Sequence, residues 1–276
     1  MSYKRLLTIQ DISCVGQCSL TVALPIISAC GIETAVLPSA VLSTHTTAFS
    51  GYTFRDLTED MPSILAHWEK EGLTFDAIYT GYLGSIKQIG YVADIIDRVG
   101  TKDRISIIDP AMADNGKLYP AFDAKFVAAM RTLCKKADYL VPNITEASLL
   151  TDTEYKTEYD INYIDTLISR LYDLGSRNII LTGVSYEKDK SGVVVSENGG
   201  YSYYEHQLLP NSCHGTGDIF ASAFAGALVR GKDTYTAAKI AADYTVKCII
   251  NTQGDADHWY GAKFETALGD LMKMLT

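Results

Sequence analysis

The sequence predicts an α/β fold with a mostly parallel central sheet flanked by helices. Two observations predict it. Apolar runs of strand length alternate with longer runs of helical spacing, as in a parallel sheet covered by helices. Polar, acidic and glycine residues recur just after each of those short runs, where open α/β sheets bind ligands. The strands are expected at residues 5–9, 34–37, 77–80, 105–109, 139–141 and 178–181. Their carboxyl ends carry Asp11, the segment 43–46 with His45 and Thr46, Gly81-Tyr82, the segment 109–114 with Asp109 and Asp114, Asn143 to Glu146, and Thr182-Gly183. Beyond Gly183 the pattern changes. Segments 192–196 and 201–204 flank Asn198-Gly199-Gly200, a hairpin signal, and lead the chain toward His214. Segments 219–230, 235–251 and 263–275 have the spacing of packing helices. There is no internal repeat, low-complexity segment or linker-like run, so residues 1–276 are expected to form a single domain.

Bulk properties bound the function. The chain has 276 residues, 47% hydrophobic and 21% charged, the composition of an ordinary globular protein. Its longest apolar stretches, such as residues 22–30, are far too short to span a bilayer, and the start of the chain has no signal-peptide pattern. A cytoplasmic protein without a membrane partner is expected. The formal charge of -9 argues against nucleic acid, whose binding needs clustered Lys and Arg, but allows a small anionic nucleotide held by local N–H groups and a metal ion. Six cysteines are too few for a disulfide framework and are expected to be free thiols. Cys14 and Cys18 lack the second Cys or His pair that a structural zinc needs.

The segment with the most chemistry is His214-Gly215-Thr216-Gly217-Asp218, followed at once by an alanine-rich apolar run. Glycines ahead of helical spacing suggest a loop opening a helix, whose unpaired N–H groups and positive dipole end hold an anion. A carboxylate beside an anion is repelled unless it has a task, and the obvious task is taking a proton from a hydroxyl that attacks a phosphoryl group. The competing reading is a helix cap, since Thr and Asp suit helix starts. For Glu146 the competing reading is a place in the first turn of a helix capped by Thr145. For Asn115-Gly116 it is a turn, for Thr182 a satisfied strand end, and for His45 a buried core histidine.

Four elements in order carry a resemblance: Gly81-Tyr82-Leu83-Gly84-Ser85, Asp109-Pro110-Ala111-Met112-Ala113-Asp114, Pro142-Asn143-Ile144-Thr145-Glu146 and Gly215-Thr216-Gly217-Asp218, together with Ser43-Thr44-His45-Thr46. This set resembles the pyridoxal/pyridoxamine kinases of the ribokinase superfamily over nearly the whole chain. The resemblance implies a ribokinase-like three-layer sandwich with a small covering loop. It implies phosphorylation by ATP and Mg²⁺ of the 5′-hydroxymethyl group of a vitamin B6 vitamer, and a homodimer. By the same resemblance Asp218 is the base, with the amides of Gly215, Thr216 and Gly217 as anion hole. Asp109, Asp114, Asn143, Thr182, Gly183 and Tyr119 fall on nucleotide-side positions, Tyr119 in the covering loop. Glu146 and Asp114 fall on metal positions, and Asp11, His45, Thr46 and Tyr82 line the pyridine pocket. An aromatic ring beside small polar groups suits a flat heteroaromatic ring.

The chain departs from the family pattern in three places. Asp11 stands where many pyridoxal kinases have serine and is able to pair with a cationic vitamer. Ala113 replaces a glycine, so the covering loop is expected to take a different course. Val141 replaces a threonine that bonds phosphate. Cys213-His214 is similar to the hydroxymethylpyrimidine kinases, which often carry cysteine at the position of Asp218. A kinase for hydroxymethylpyrimidine or another small alcohol, and a vitamer sensor without catalysis, are the alternatives.

Overall fold

The computed structural model describes residues 3–47, 49–209 and 213–276. Among these residues, nine strands form one sheet in the order β11-β10-β9-β8-β5-β4-β1-β2-β3. They are β1 (Arg5–Ser13), β2 (Glu33–Leu42), β3 (Phe54–Asp56), β4 (Phe75–Thr80), β5 (Gly100–Ile108), β8 (Tyr139–Leu140), β9 (Asn178–Val184), β10 (Lys190–Glu197) and β11 (Gly200–Gln207). A separate hairpin pairs β6 (Ala113–Asp114) with β7 (Lys117–Leu118). The pairings β2-β1-β4-β5-β8-β9 are all parallel, and β3, β10 and β11 add antiparallel edges. Two central layers of apolar side chains result, one on each sheet face.

The helices are α1 (Leu20–Ala29), α2 (Met61–Lys70), α3 (Ile86–Arg98), α4 (Ala124–Cys134), α5 (Ile144–Leu150), α6 (Ile161–Leu174), α7 (Thr216–Val229), α8 (Thr234–Thr252) and α9 (Leu268–Met274). Buried residues of α1, α7, α8 and α9 pack on one face and those of α2 to α6 on the other. This is the expected three-layer sandwich. Helix α7 is buried from Ile219 through Val229, which is why its sequence is apolar all round rather than striped.

Strand direction places the chemistry. Chain order runs outward from β1 in both directions, to β2 on one side and to β4, β5, β8 and β9 on the other. The carboxyl ends of β1 and β4 therefore border the crevice at a switch point. Beyond the strand ends the ladder continues for single bonds: the N–H groups of Asp109 and Thr182 donate to Thr80 and Pro142 at 3.0 and 2.9 Å.

Every expected strand is present; β1, β2, β4, β5 and β9 are longer than expected, and β8, at Tyr139–Leu140, is one residue shorter. Asn198 and Gly199, at φ 53° and 81°, form the two-residue turn between β10 and β11, and Gly200 is the first residue of β11. The link from β11 toward His214 passes through 210–212, outside the described residues. Two expectations change. Segment 263–275 is not one helix but a 3-10 turn, Phe264–Ala267, followed by α9, because Phe264 and Ala267 turn into the core ahead of Leu271. The strand β3 has no sequence signal, since Phe54, Arg55 and Asp56 are all exposed and show no alternation.

Gly226 marks a close approach of α7 to the end of α1. A Cβ there would sit 2.5 Å from the buried Sγ of Cys30. Gly226→Ala is expected to destabilise the protein by about 1–3 kcal/mol despite its better helix propensity, and Cys30→Ala in the same chain to recover most of the loss. Urea unfolding of the single and double variants checks this; an unrelieved loss in the double variant would locate the strain elsewhere.

Candidate functional site

The start of α7 is shaped by Gly215, its N-cap, at φ 79°. A Cβ on Gly215 would fall 1.6 Å from the carbonyl oxygen of Gln17, so only glycine allows the loop before α1 to lie against the loop before α7. Thr216, Gly217 and Asp218 form the first turn of α7, and Asp218 is not its cap. Their amides are among those an α-helix leaves without intrahelical partners. Burial raises the Asp218 carboxyl to about 7, opposed by a hydrogen bond from the Ser19 backbone N–H and reinforced by the charge of Asp11.

Asp11 lies on β1 and is buried. Its carboxyl is raised by burial, while hydrogen bonds from Ser19 and from the Ser13 hydroxyl, the latter at 2.9 Å, and the charge of His45 pull it back. His45 is buried, and its Nε2 pairs with the carbonyl oxygen of Tyr260 at 2.8 Å. Desolvation lowers its pKa. Gly16, at φ 130°, lets the ring in, since a Cβ there would lie 2.3 Å from His45 Cδ2. The Tyr82 hydroxyl is pushed up to about 12 by burial and then by Asp11, which places the two in one electrostatic neighbourhood. Thr46 is exposed beside them.

A second group lies under the β6-β7 hairpin. Asn143 is the N-cap of α5, and with Glu146 it makes a capping box: Asn143 Oδ1 accepts from the Glu146 N–H and Glu146 Oε2 from the Asn143 N–H, both at 2.9 Å. The cap is therefore Asn143 rather than Thr145. Glu146 Oε1 also accepts from the Met112 N–H at 3.1 Å, and Asn143 Nδ2 donates to the Ala113 carbonyl at 2.8 Å. Burial raises the carboxyl groups of both Glu146 and Asp109, and Asp109 is raised further by Glu146 and Asp218. Three acids thus share one buried region.

The remaining residues divide. Tyr119 reaches the region: its hydroxyl is raised by burial and then by Glu146, Asp109, Asp218 and Asp114. Asp114 is exposed, its carboxylate accepting from the Asn115 N–H at 2.8 Å and from Asn115 Nδ2 at 2.9 Å. Asn115-Gly116, at φ 50° and 75°, is the hairpin turn, so the turn and the covering element are one structure. Ala113 is buried, which gives its methyl group a place in the core beneath that element. The Thr182 hydroxyl donates to the Pro142 carbonyl at 3.3 Å, and Gly183, exposed at φ 71°, follows it.

Some of the surroundings have no signal in the sequence. Around His45 the rings of Phe49 and His214 lie at 5.1 and 5.5 Å, and Trp259 lies 4.8 Å from Phe49. Tyr260 contributes its backbone carbonyl, a group every residue has. Cys18 is brought beside Asp218 and Asp11, and its thiol is raised by burial and then by both acids.

The fold and sequence match known kinases. The phosphomethylpyrimidine kinase family model matches residues 27–262. A Bacteroides thetaiotaomicron protein provisionally named a phosphomethylpyrimidine kinase is 38% identical, with 98% of this chain and 94% of that one covered and a TM-score of 0.94. A second crystal form of it, at TM-score 0.92, is with pyridoxal. Pyridoxal kinase from Lactobacillus plantarum is 31% identical, covering 99% of this chain and 98% of that one at TM-score 0.91. A Dictyostelium discoideum pyridoxal kinase is 25% identical over 82% of this chain and 78% of its own length.

The raised carboxyl of Asp218 has a thermodynamic sign. The folded protein holds that proton up to about pH 7 and the unfolded chain only to about 4, so this group lowers stability progressively between those limits. Asp218→Asn is expected to be more stable than the parent by about 1–3 kcal/mol at pH 8, after allowing for partial exposure, with the gap shrinking toward pH 5. Denaturant unfolding at the two pH values measures it; equal stabilities at pH 8 would mean the carboxylate is not desolvated.

Proposed function

The chain belongs to the phosphomethylpyrimidine kinase family, and from that premise we propose that it transfers a phosphoryl group from ATP to the 5′-hydroxymethyl group of a vitamin B6 vitamer, with Asp218 as general base. One observation carries the reading. A half-buried carboxyl raised to about 7 stands in the first turn of α7, beside the amides of Gly215, Thr216 and Gly217. Such a group is half ionised at neutral pH, where a general base is most effective. The amides supply donors for the oxygens of the transferring group, and phosphoryl transfer asks chiefly for positioning and charge stabilisation.

On this reading Asp11, His45, Thr46 and Tyr82 take the vitamer. The pyridoxal in the Bacteroides thetaiotaomicron structure supports a B6 ligand for this scaffold. Asp109, Asp114, Asn143, Tyr119, Thr182 and Gly183 lie on the nucleotide side. Asp109, Glu146 and Asp218 are oxygen donors of the kind a divalent cation takes, but among the described residues no three such side chains stand close enough to hold one, so the phosphates of ATP and water would have to complete the shell of a bound cation. Glu146 would face it with the second lone pairs of oxygens already fixed by Met112 and Asn143. Asp114 would join it by releasing Asn115. Bound Mg²⁺ would supply charge neutralisation on the phosphates.

Hydroxymethylpyrimidine is the second acceptor to test, since the matching family model is named for phosphomethylpyrimidine kinase. ADP release with ATP and Mg²⁺ against pyridoxal, pyridoxamine, pyridoxine, hydroxymethylpyrimidine and ribose decides between acceptors. A B6 vitamer is expected to have the highest kcat/KM, and Asp218→Asn to lower kcat by about 10²–10⁴. Higher kcat/KM for hydroxymethylpyrimidine overturns the B6 assignment. Nucleotide binding without turnover of any acceptor supports a sensor.

Asp11 is expected to set the vitamer preference by pairing with a cationic ligand. Asp11→Ser should lower kcat/KM for pyridoxamine relative to pyridoxine several-fold, as the loss of one charged hydrogen bond would. An unchanged ratio removes Asp11 from specificity.

A further inference from the structure

Three side chains at the start of α5 each catch one backbone group of the segment leading through the β6-β7 hairpin. Glu146 Oε1 accepts from the Met112 N–H at 3.1 Å, Asn143 Nδ2 donates to the Ala113 carbonyl at 2.8 Å, and Thr145 Oγ1 accepts from the Gly116 N–H at 3.0 Å. The first two grip residues 112–113, where the hairpin leaves the core. The third grips its turn. Gly116 sits at φ 75°, and a Cβ there would lie 2.7 Å from the Tyr155 ring, so the tip is seated between Thr145 and Tyr155. The chain beyond the turn brings Tyr119 back over the acidic groups, with its N–H donating to the Met112 carbonyl at 2.9 Å.

Base and tip are thus held separately. Asn143 and Glu146 hold the base with Nδ2 and Oε1, while their Oδ1 and Oε2 form the capping box, so both gripping side chains are fixed by the start of α5. The Thr145–Gly116 bond breaks without disturbing either. Thr145 is buried, and its hydroxyl is the polar group that faces the tip. We infer that Thr145 is the latch that holds the hairpin tip down over the acidic site, making it a positioning residue for the phosphoryl transfer proposed above, a reading on which its catalytic consequence rests.

Thr145→Val keeps the shape and removes the acceptor, and Thr145→Ser keeps the acceptor. In the full chain, NMR-detected exchange of the Gly116 amide is expected to quicken about five- to tenfold in Thr145→Val, the equivalent of one ordinary hydrogen bond, and to stay near the parent rate in Thr145→Ser. Gly116→Ala should release the tip by its clash with Tyr155 although Thr145 is intact, seen as faster exchange of the Lys117 and Leu118 amides. Unchanged Gly116 exchange in Thr145→Val overturns the latch. So does faster exchange spread equally through β1 and β4, which would mean a general core defect. With ATP, Mg²⁺ and the best acceptor, Thr145→Val should raise KM for ATP about fivefold and increase acceptor-independent ATP hydrolysis, both restored by serine, because an unlatched tip holds nucleotide less well and admits water. Unchanged values beside faster exchange would overturn the positioning role. If the parent phosphorylates no acceptor, it is the proposed function that fails, and the exchange result still tests the latch.

Discussion

Burial raises the proton affinity of Asp11, Asp109, Glu146 and Asp218 at one end of the sheet, neighbouring acids raise the last three further, and backbone N–H groups aimed at Glu146 and Asp218 oppose the rise. The Ser19 amide faces Asp218, and the Met112 and Asn143 amides face the two oxygens of Glu146. The strongest charges acting on Asp109, Glu146 and Asp218 are themselves acidic, so dipoles rather than basic side chains oppose desolvation. This has a geometric consequence. A lysine swings on a long flexible stem, whereas an amide is fixed by the fold, so the carboxylates are held as firmly as the helix starts and strand ends that face them.

The same constraint ties local structure to the covering hairpin. Asn143 caps α5 with one end of its amide and grips Ala113 with the other. Glu146 completes the capping box with one oxygen and grips Met112 with the other. Helix start and hairpin base are therefore a single network, and a change at either position alters both. The bland interpretation of Glu146, a residue in the first turn of a helix, and the functional one, an acid at the site, describe the same atoms.

What the sequence revealed depended on whether a feature resides in side-chain type and spacing. The strand ends, the Gly-Thr-Gly-Asp turn and the Asn198-Gly199 hairpin are properties of short local patterns, and each stands where those patterns put it. The cap at Asn143 rather than Thr145 was within reach, since Asn followed three residues later by Glu is itself a capping-box signature. Other features were not local. Tyr260 meets His45, and Trp259 meets Phe49, only because two distant loops converge, and Tyr260 does so through a carbonyl that no sequence pattern marks. The three-residue β3 is an exposed edge with no face to bury. The approach of Gly215 to Gln17 reads in the sequence only as a glycine, and the structure alone says what it admits.

Helix starts in this protein are of two kinds, and both kinds occur at the acidic groups. Ser85, Asp123, Asn143, Asp160 and Asp233 cap α3, α4, α5, α6 and α8 with side-chain acceptors. Among the described residues, α1, α2, α7 and α9 begin without one; at α1 and α7 the N-cap positions are held by Ser19 and Gly215, at φ 53° and 79°, beside the acids. Omitting a cap costs about 1 kcal/mol, and at α1 and α7 the two omissions face a set of desolvated acids. A capping side chain, however, would occupy the amides that an incoming anion requires. At α1 the amide of Ser19 is instead met by Asp218, the catalytic candidate itself. On the proposed function the starts of α1 and α7 divide the work, one fixing the carboxylate and the other presenting its first amides to a ligand, at a local cost in stability.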